Sequence, residues 1–424
     1  MNRSLRNLSV WVIACLGTLM LVCGQPTEAQ TFRGTILGTV TDSSGLPVGG
    51  ATITVRNTDT GLIRTVSTTD DGSYAAPELP IGNYSVTIEK SGFKSGVVSG
   101  IRVEVSAERR ADVALQPGEI AQRVEVTGDT LPQVESTENT LGGIIEAKVV
   151  TNLPVNGRDY QKLIFLVPGV TGSPDQITDS PGSFGIFSVN GARGRANNFL
   201  LDGTDMNDGY RNDPSINEAG VFGTPATILP VEAIAELRVA SNFEAEYGRS
   251  AGGVINVVTK SGTNEWHGTA FEFLRNTVLN ARNYFDPVGT PKQPFNNNQY
   301  GGAFGGPIIH DKTFFFLDYE GFRERGKESS PACVPTAADI SANAPTPGNL
   351  ASINPVIQNL LKINNGQGPW PQPTDPTTDC YANGGTNAAL ATPFSNRVDS
   401  AIVKIDHNFN KKPFWAASAI NKGR

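Results

Sequence analysis

After Gly262 the sequence falls into alternating stretches of about ten residues, and this repeat limits the possible folds more than any other feature. Candidate strands are Trp266–Arg275, Gln299–Ile308, Thr313–Phe322, Val398–His407 and Pro413–Ile420. In the third, Phe315, Leu317 and Tyr319 share one face, and Asp318 and Glu320 share the other. In the fourth, Ala401, Val403 and Ile405 oppose Lys404 and Asp406. A tilted strand of about ten residues spans a bilayer. A half-buried soluble sheet would show the same alternation, so the connections have to discriminate. They run long, short, long, short: 276–298, 309–312, 323–397 and 408–412. Outer-membrane barrels have short turns on the periplasmic side and longer loops outside. An unstructured connection as long as 323–397 would be unusual in a soluble domain. The pattern predicts the first strands of a transmembrane β-barrel, with Trp266, Tyr284, Phe285, Tyr300, Phe304 and Phe314–Phe316 as girdle aromatics.

The other end of the chain predicts export. Arg3 and Arg6 precede an apolar run from Leu8 to Cys23, and Thr27-Glu28-Ala29 then puts a small residue at a cut after Ala29. This is the layout of a signal peptide, and the run is too short for a membrane-spanning helix. Elsewhere no stretch approaches the ~20 apolar residues that such a helix needs. The net charge of −7 and the lack of a dense basic patch argue against a nucleic-acid partner. Cys333 and Cys380 are the cysteines left after signal removal. In an exported protein they are a disulfide candidate, with two free thiols as the alternative.

Between these ends lie two further regions. From Gly34 to about Gln116, short alternating segments recur at Ile36–Thr41, Thr52–Asn57, Ile63–Thr68, Gly82–Glu89 and Val103–Ala114. Turn residues separate them, which predicts an antiparallel β-sandwich. Its runs GTVTDSSGLPVGGATITVRN (38–57) and TTDDGSYAAPELPIGNYSVTIEKSGF (68–93) resemble the transthyretin-like, carboxypeptidase-regulatory-like module. From about Leu131 to Thr263, short strands mix with short helices, as in a small α/β globule. Here Leu153–Asp159, the amphipathic stretch Tyr160–Val167, Phe187–Arg193, Asn198–Gly203 and Ile228–Ala240 are the segments that stand out. The stretch NFEAEYGRSAGGVINVVTKSGTNEWHG (242–268) then joins the strand Val254–Lys260 to the turn Ser261–Asn264 and to Trp266. In this order the segments resemble the TonB-dependent outer-membrane receptors of the Oar-like group, with a sandwich, a plug and a barrel.

The resemblance implies a mainly β fold divided as follows: 1–29 signal peptide, 30–117 sandwich, 118–130 linker, 131–263 plug and 264–424 the start of a barrel. It implies an outer-membrane location with a periplasmic sandwich. It also implies TonB, membrane lipid and an extracellular ligand, carbohydrate or peptide, as partners. In the linker, Val124, Glu125, Val126 and Thr127 are the candidate TonB contact, because receptors of this class offer a short segment there as an added strand. Backbone pairing of that kind tolerates many side chains, so these residues could equally be the first strand of the plug. Plugged transporters have about 22 strands, whereas four or five are readable here, and the chain ends without a terminal aromatic strand. The expectation is therefore an incomplete receptor.

No catalytic, cofactor or metal residues are expected. The three histidines, His267, His310 and His407, are far apart and outside any zinc motif, which argues against a peptidase. Asp202, Asp205, Asn207 and Asp208 crowd one turn without the far carboxylate of a calcium loop, so turn chemistry is the better reading. Arg193 and Arg195 read as plug-to-wall contacts rather than a phosphate cradle. The rival function is a secreted or surface carbohydrate-binding or adhesion protein that uses the sandwich.

Overall fold

The structure is a computed structural model. It describes residues 33–119, 123–127, 142–155, 158, 160–172, 187–193, 196–207, 229–241, 247, 251–281, 292–336, 339, 341, 345–346, 349, 352, 354–361, 388–409 and 415–423. The predicted signal peptide lies outside them. Two compact units form, one of Met1–Trp266 with Gly305–Phe316 and Lys404–Ala417, the other of His267–Phe304 with Leu317–Val403 and Ser418–Arg424.

Nine strands belong to the sandwich region: β1 (Gly34–Asp42), β2 (Thr52–Asn57), β3 (Ile63–Ser67), β4 (Ser73–Leu79), β5 (Gly82–Glu89), β6 (Ser95–Val103), β7 (Glu108–Arg110), β8 (Val113–Leu115) and β9 (Arg123–Thr127). One sheet has the order β4-β1-β7, with β8 also on β1; the other runs β3-β2-β5-β6-β9. Period-two alternation turns Ile36, Val40, Ile53, Val55, Val86 and Ile88 into one fully buried core. Gly38 is required where β1 passes the chain at Ala111, since a Cβ there would sit 2.2 Å from a carbonyl oxygen.

Two expectations change here. β4 does not stand out in the sequence, because Pro77 argues against a strand. It forms around a register shift against β1, with Glu78 in the left-handed region at φ 60°. The run Val103–Ala114 is not one strand. β6 ends at Val103, the chain turns through Ser106 at φ 50°, and β7 and β8 then pair with β1 of the other sheet. Alternation continues through that corner, so periodicity alone does not reveal it.

Tyr84 is buried, and its hydroxyl donates to the Pro80 carbonyl at 2.7 Å, pinning the turn that leads into β5. Burial pushes its phenol pKa up. Y84F should therefore lower unfolding stability by about 1 kcal/mol without altering the strands, as urea denaturation would measure.

The plug region contains β10 (Gly142–Glu146), a helix Ala147–Asn152, a 3-10 helix Tyr160–Leu166, β11 (Val170–Gly172), β12 (Phe187–Val189), β13 (Asn198–Leu201), β14 (Thr204–Asp205), a 3-10 turn Val231–Ala233, β15 (Ile234–Ala240) and β16 (Val254–Thr259). Its main sheet has the order β10-β15-β16-β13-β14, and β11 pairs with β12. All six residues of β16 are buried. A strand covered on both faces favours a mostly apolar run over alternation, and Val254–Thr259 supplies one in which Asn256 and Thr259 are the polar members.

A third assembly is a sheet of consecutive neighbours: β17 (His267–Asn276), β18 (Phe295–Ile309), β19 (Thr313–Ala332), β20 (Ala388–His407) and β21 (Trp415–Gly423). All five predicted strands are present, but β19 and β20 reach 20 residues each. The connection expected at 323–397 shortens to 333–387. Charged residues at Arg323–Lys327 hide the extension, yet a backbone ladder can continue past the apolar band wherever water replaces lipid.

Candidate functional site

The candidate coupling segment, Val124–Thr127, lies within β9. β9 pairs in parallel with β6, from Ser95↔Arg123 through Val97↔Glu125 to Ser99↔Thr127. It is therefore the last strand of a sandwich sheet and not the first strand of the plug, whose sheet begins with β10 on β15.

A junction between sandwich and plug is formed by two charged residues inside the apolar strand β15. Glu236 is fully buried and accepts a hydrogen bond from the Val105 amide at 2.8 Å. Arg238 donates to the carbonyls of Val105 and Ser106, each at 2.6 Å. Tyr247 adds a 3.0 Å bond from its hydroxyl to Ser106 Oγ. Together they clasp the 104–107 corner. Burial is the largest influence on Glu236 and raises its carboxyl to about 7; the Val105 amide and Arg102, 3.9 Å away, pull the other way. Sequence reading missed this site. Its signal was a Glu and an Arg two positions apart in IAELRVA, a strand otherwise bound for the core.

The plug motifs also find partners. Arg158, from the Leu153–Asp159 segment, pairs with Glu232 at 3.1 Å beside the turn into β15. Asp202, at φ 46° in the β13–β14 turn, accepts from the Thr259 amide at 2.9 Å and the Thr259 hydroxyl at 2.6 Å. Lys404 Nζ lies 3.0 Å from Thr259 Oγ1 and 3.7 Å from Asp202. Asp205 accepts from the Asn207 amide at 2.8 Å, as in an Asx turn. Asp208 and Arg195 lie outside the described residues.

At the junction to the barrel, Asn264 exchanges hydrogen bonds with Asp311: its Nδ2 donates to Oδ1 at 2.7 Å, and the Asp311 amide donates to Asn264 Oδ1 at 2.8 Å. The Asn264 amide reaches the Asp59 carbonyl at 2.9 Å. Trp266 packs edge-on against Phe315, 5.7 Å between centroids. Gly306 leaves room for the indole, since a Cβ there would meet it at 2.6 Å.

The five-stranded sheet has its polarity inverted relative to a soluble protein. On β20, Val403 and Ile405 are 43% and 40% exposed, whereas Lys404 and Asp406 are 5% and 2%. On β19, Leu317 and Tyr319 are exposed while Asp318 is buried, and Phe314 and Phe316 share its buried side. Leu274 and Phe304 extend the exposed apolar face. No water-soluble sheet benefits from that arrangement, but lipid on the apolar face accounts for it. Among the described residues no helix is long and apolar enough to cross a membrane.

Residues 258–422 match the family described as an outer membrane beta barrel domain, and 35–116 match the carboxypeptidase regulatory-like domain. The TonB-dependent transporter Oar of Myxococcus xanthus is 30% identical over 334 residues, 75% of this chain and 29% of the relative. The chain is similar to the Oar-like TonB-dependent receptors. The ferrienterobactin receptor of Escherichia coli is 30% identical over 129 residues, 30% of this chain and 17% of that one. The outer membrane transporter YddB of Escherichia coli aligns over 64% of this chain and 31% of its own, at 15% identity and a TM-score of 0.38.

This Oar-like chain thus spans under a third of the length of its Myxococcus relative. Its location is the outer membrane, and its relatives are transporters and receptors rather than enzymes. Cys333 of the Oar-like chain is disulfide-bonded; Cys380 lies outside the described residues.

Proposed function

We propose that this chain belongs to an energy-coupled importer: a ligand binds outside, and TonB, driven from the inner membrane, acts on the plug to open a path through the barrel. The observation that carries this reading is the sheet whose exposed face is apolar while Asp318, Lys404 and Asp406 are buried on the other, following directly on a plug-like α/β sheet. The division at 30–117, 118–130, 131–263 and 264–424 goes with it, as does a signal peptide at 1–29. Cys333 and Cys380 would clip the long outer connection together. Val124–Thr127 would be the TonB contact, since backbone pairing is the chemistry an extended five-residue strand can offer.

Proline lacks the amide hydrogen that such pairing uses. V124P/V126P in the full chain should weaken binding to the purified periplasmic domain of TonB at least tenfold, measured by surface plasmon resonance. Unchanged affinity would remove these residues from the coupling role.

A further inference from the structure

The candidate coupling strand already belongs to a sheet. β9 ends the order β3-β2-β5-β6-β9, and among the described residues no further strand pairs with it. In a parallel ladder, alternate residues turn their backbone groups toward the neighbour and the residues between turn theirs away. One edge of β9 is therefore engaged with β6, and among the described residues no strand occupies the other. We propose that the sandwich presents 123–127 as a preordered open edge, and that an edge strand of TonB adds to it as a sixth strand while β9 stays on β6. This rests on reading 123–127 as the TonB contact.

Two features favour presentation over release. A free segment must lose backbone entropy when it pairs, and a strand held on β6 has lost it beforehand. The strand that holds it is firmly placed: Val98, Ile101 and Val103 of β6 are core residues, and β6 also pairs with β5. β6 then runs into the 104–107 corner that Glu236 and Arg238 clasp. A partner strand on β9 is thereby linked through β6 and that corner to β15 in the plug sheet. A strand pulled off β6 would lose that connection.

The test is a covalent lock. Ser99 and Thr127 are register partners, so S99C/T127C in the full chain should form a disulfide when oxidised, detectable by mass spectrometry of the peptides. The oxidised protein should bind the periplasmic domain of TonB at least as tightly as the reduced protein. A tenfold or greater loss on oxidation, recovered on reduction, would overturn the proposal and show that β9 must leave β6. Failure of the pair to oxidise would overturn the pairing itself. V124P/V126P separates the two layers. If it leaves TonB binding intact, the coupling reading fails; if it abolishes binding and the lock does too, only the presentation by the sandwich fails.

Discussion

Arginine at Leu317 or Val403 should drive this chain out of the outer-membrane fraction. Both side chains lie on the exposed apolar face, on strands β19 and β20, next to one another in the sheet. A guanidinium facing hydrocarbon costs about 2–4 kcal/mol near the midplane of a barrel and less toward the interfaces. Two such changes in adjacent strands approach the whole stability of an ordinary domain. L317R/V403R should therefore be recovered in aggregates or degraded, while the parent fractionates with outer membrane. E320Q, on the opposite face, serves as the control and should fractionate like the parent. If the double arginine variant still reaches the membrane in parental amounts, the exposed face does not meet lipid.

The second large effect concerns pH and the sandwich–plug junction. Glu236 has a folded-state pKa of about 7, above its ordinary 4.5. The folded protein therefore favours the protonated carboxyl. That contribution is complete below about pH 4.5 and is lost as the pH rises through about 7. The shift corresponds to about 3 kcal/mol at most. E236Q keeps an oxygen to accept from the Val105 amide but has no proton to lose. Urea denaturation at pH 4.5 and pH 7.5 should show the variant gaining on the parent by up to that amount at the higher pH. A difference between the two proteins that stays constant with pH would show that Glu236 ionises normally in the folded state.

These two predictions differ in how far the sequence leads to them. Leu317 and Val403 are legible because side-chain alternation is a local property: successive residues of a strand point to opposite faces wherever the strand lies. The starts of β17, β18, β19 and β21 could be read on that basis to within four residues, whereas β20 begins ten residues before the expected Val398. Lengths could not, because Arg323–Lys327 interrupts the apolar period while the backbone ladder of β19 continues. β4 was hidden for a related reason. Pro77 is unfavourable to a regular strand, and only the register shift against β1 accommodates it. Glu236 and Arg238 gave a weak signal, two charges in a core strand, but nothing local says that their partner is a corner 131 residues away in sequence.

The sequence by itself therefore determined the order of sandwich and barrel and which residues share a face of each barrel strand. Both follow from local spacing and from motif resemblance. The tertiary structure decided which face of the wall is exposed, because period two is the same in lipid and in water and only burial distinguishes them. It also decided the place of β9. Strand pairing runs through backbone groups that every residue but proline shares, so Arg123–Thr127 could have joined plug, partner or sandwich equally well. Its neighbour is set by the edge that β6 leaves open.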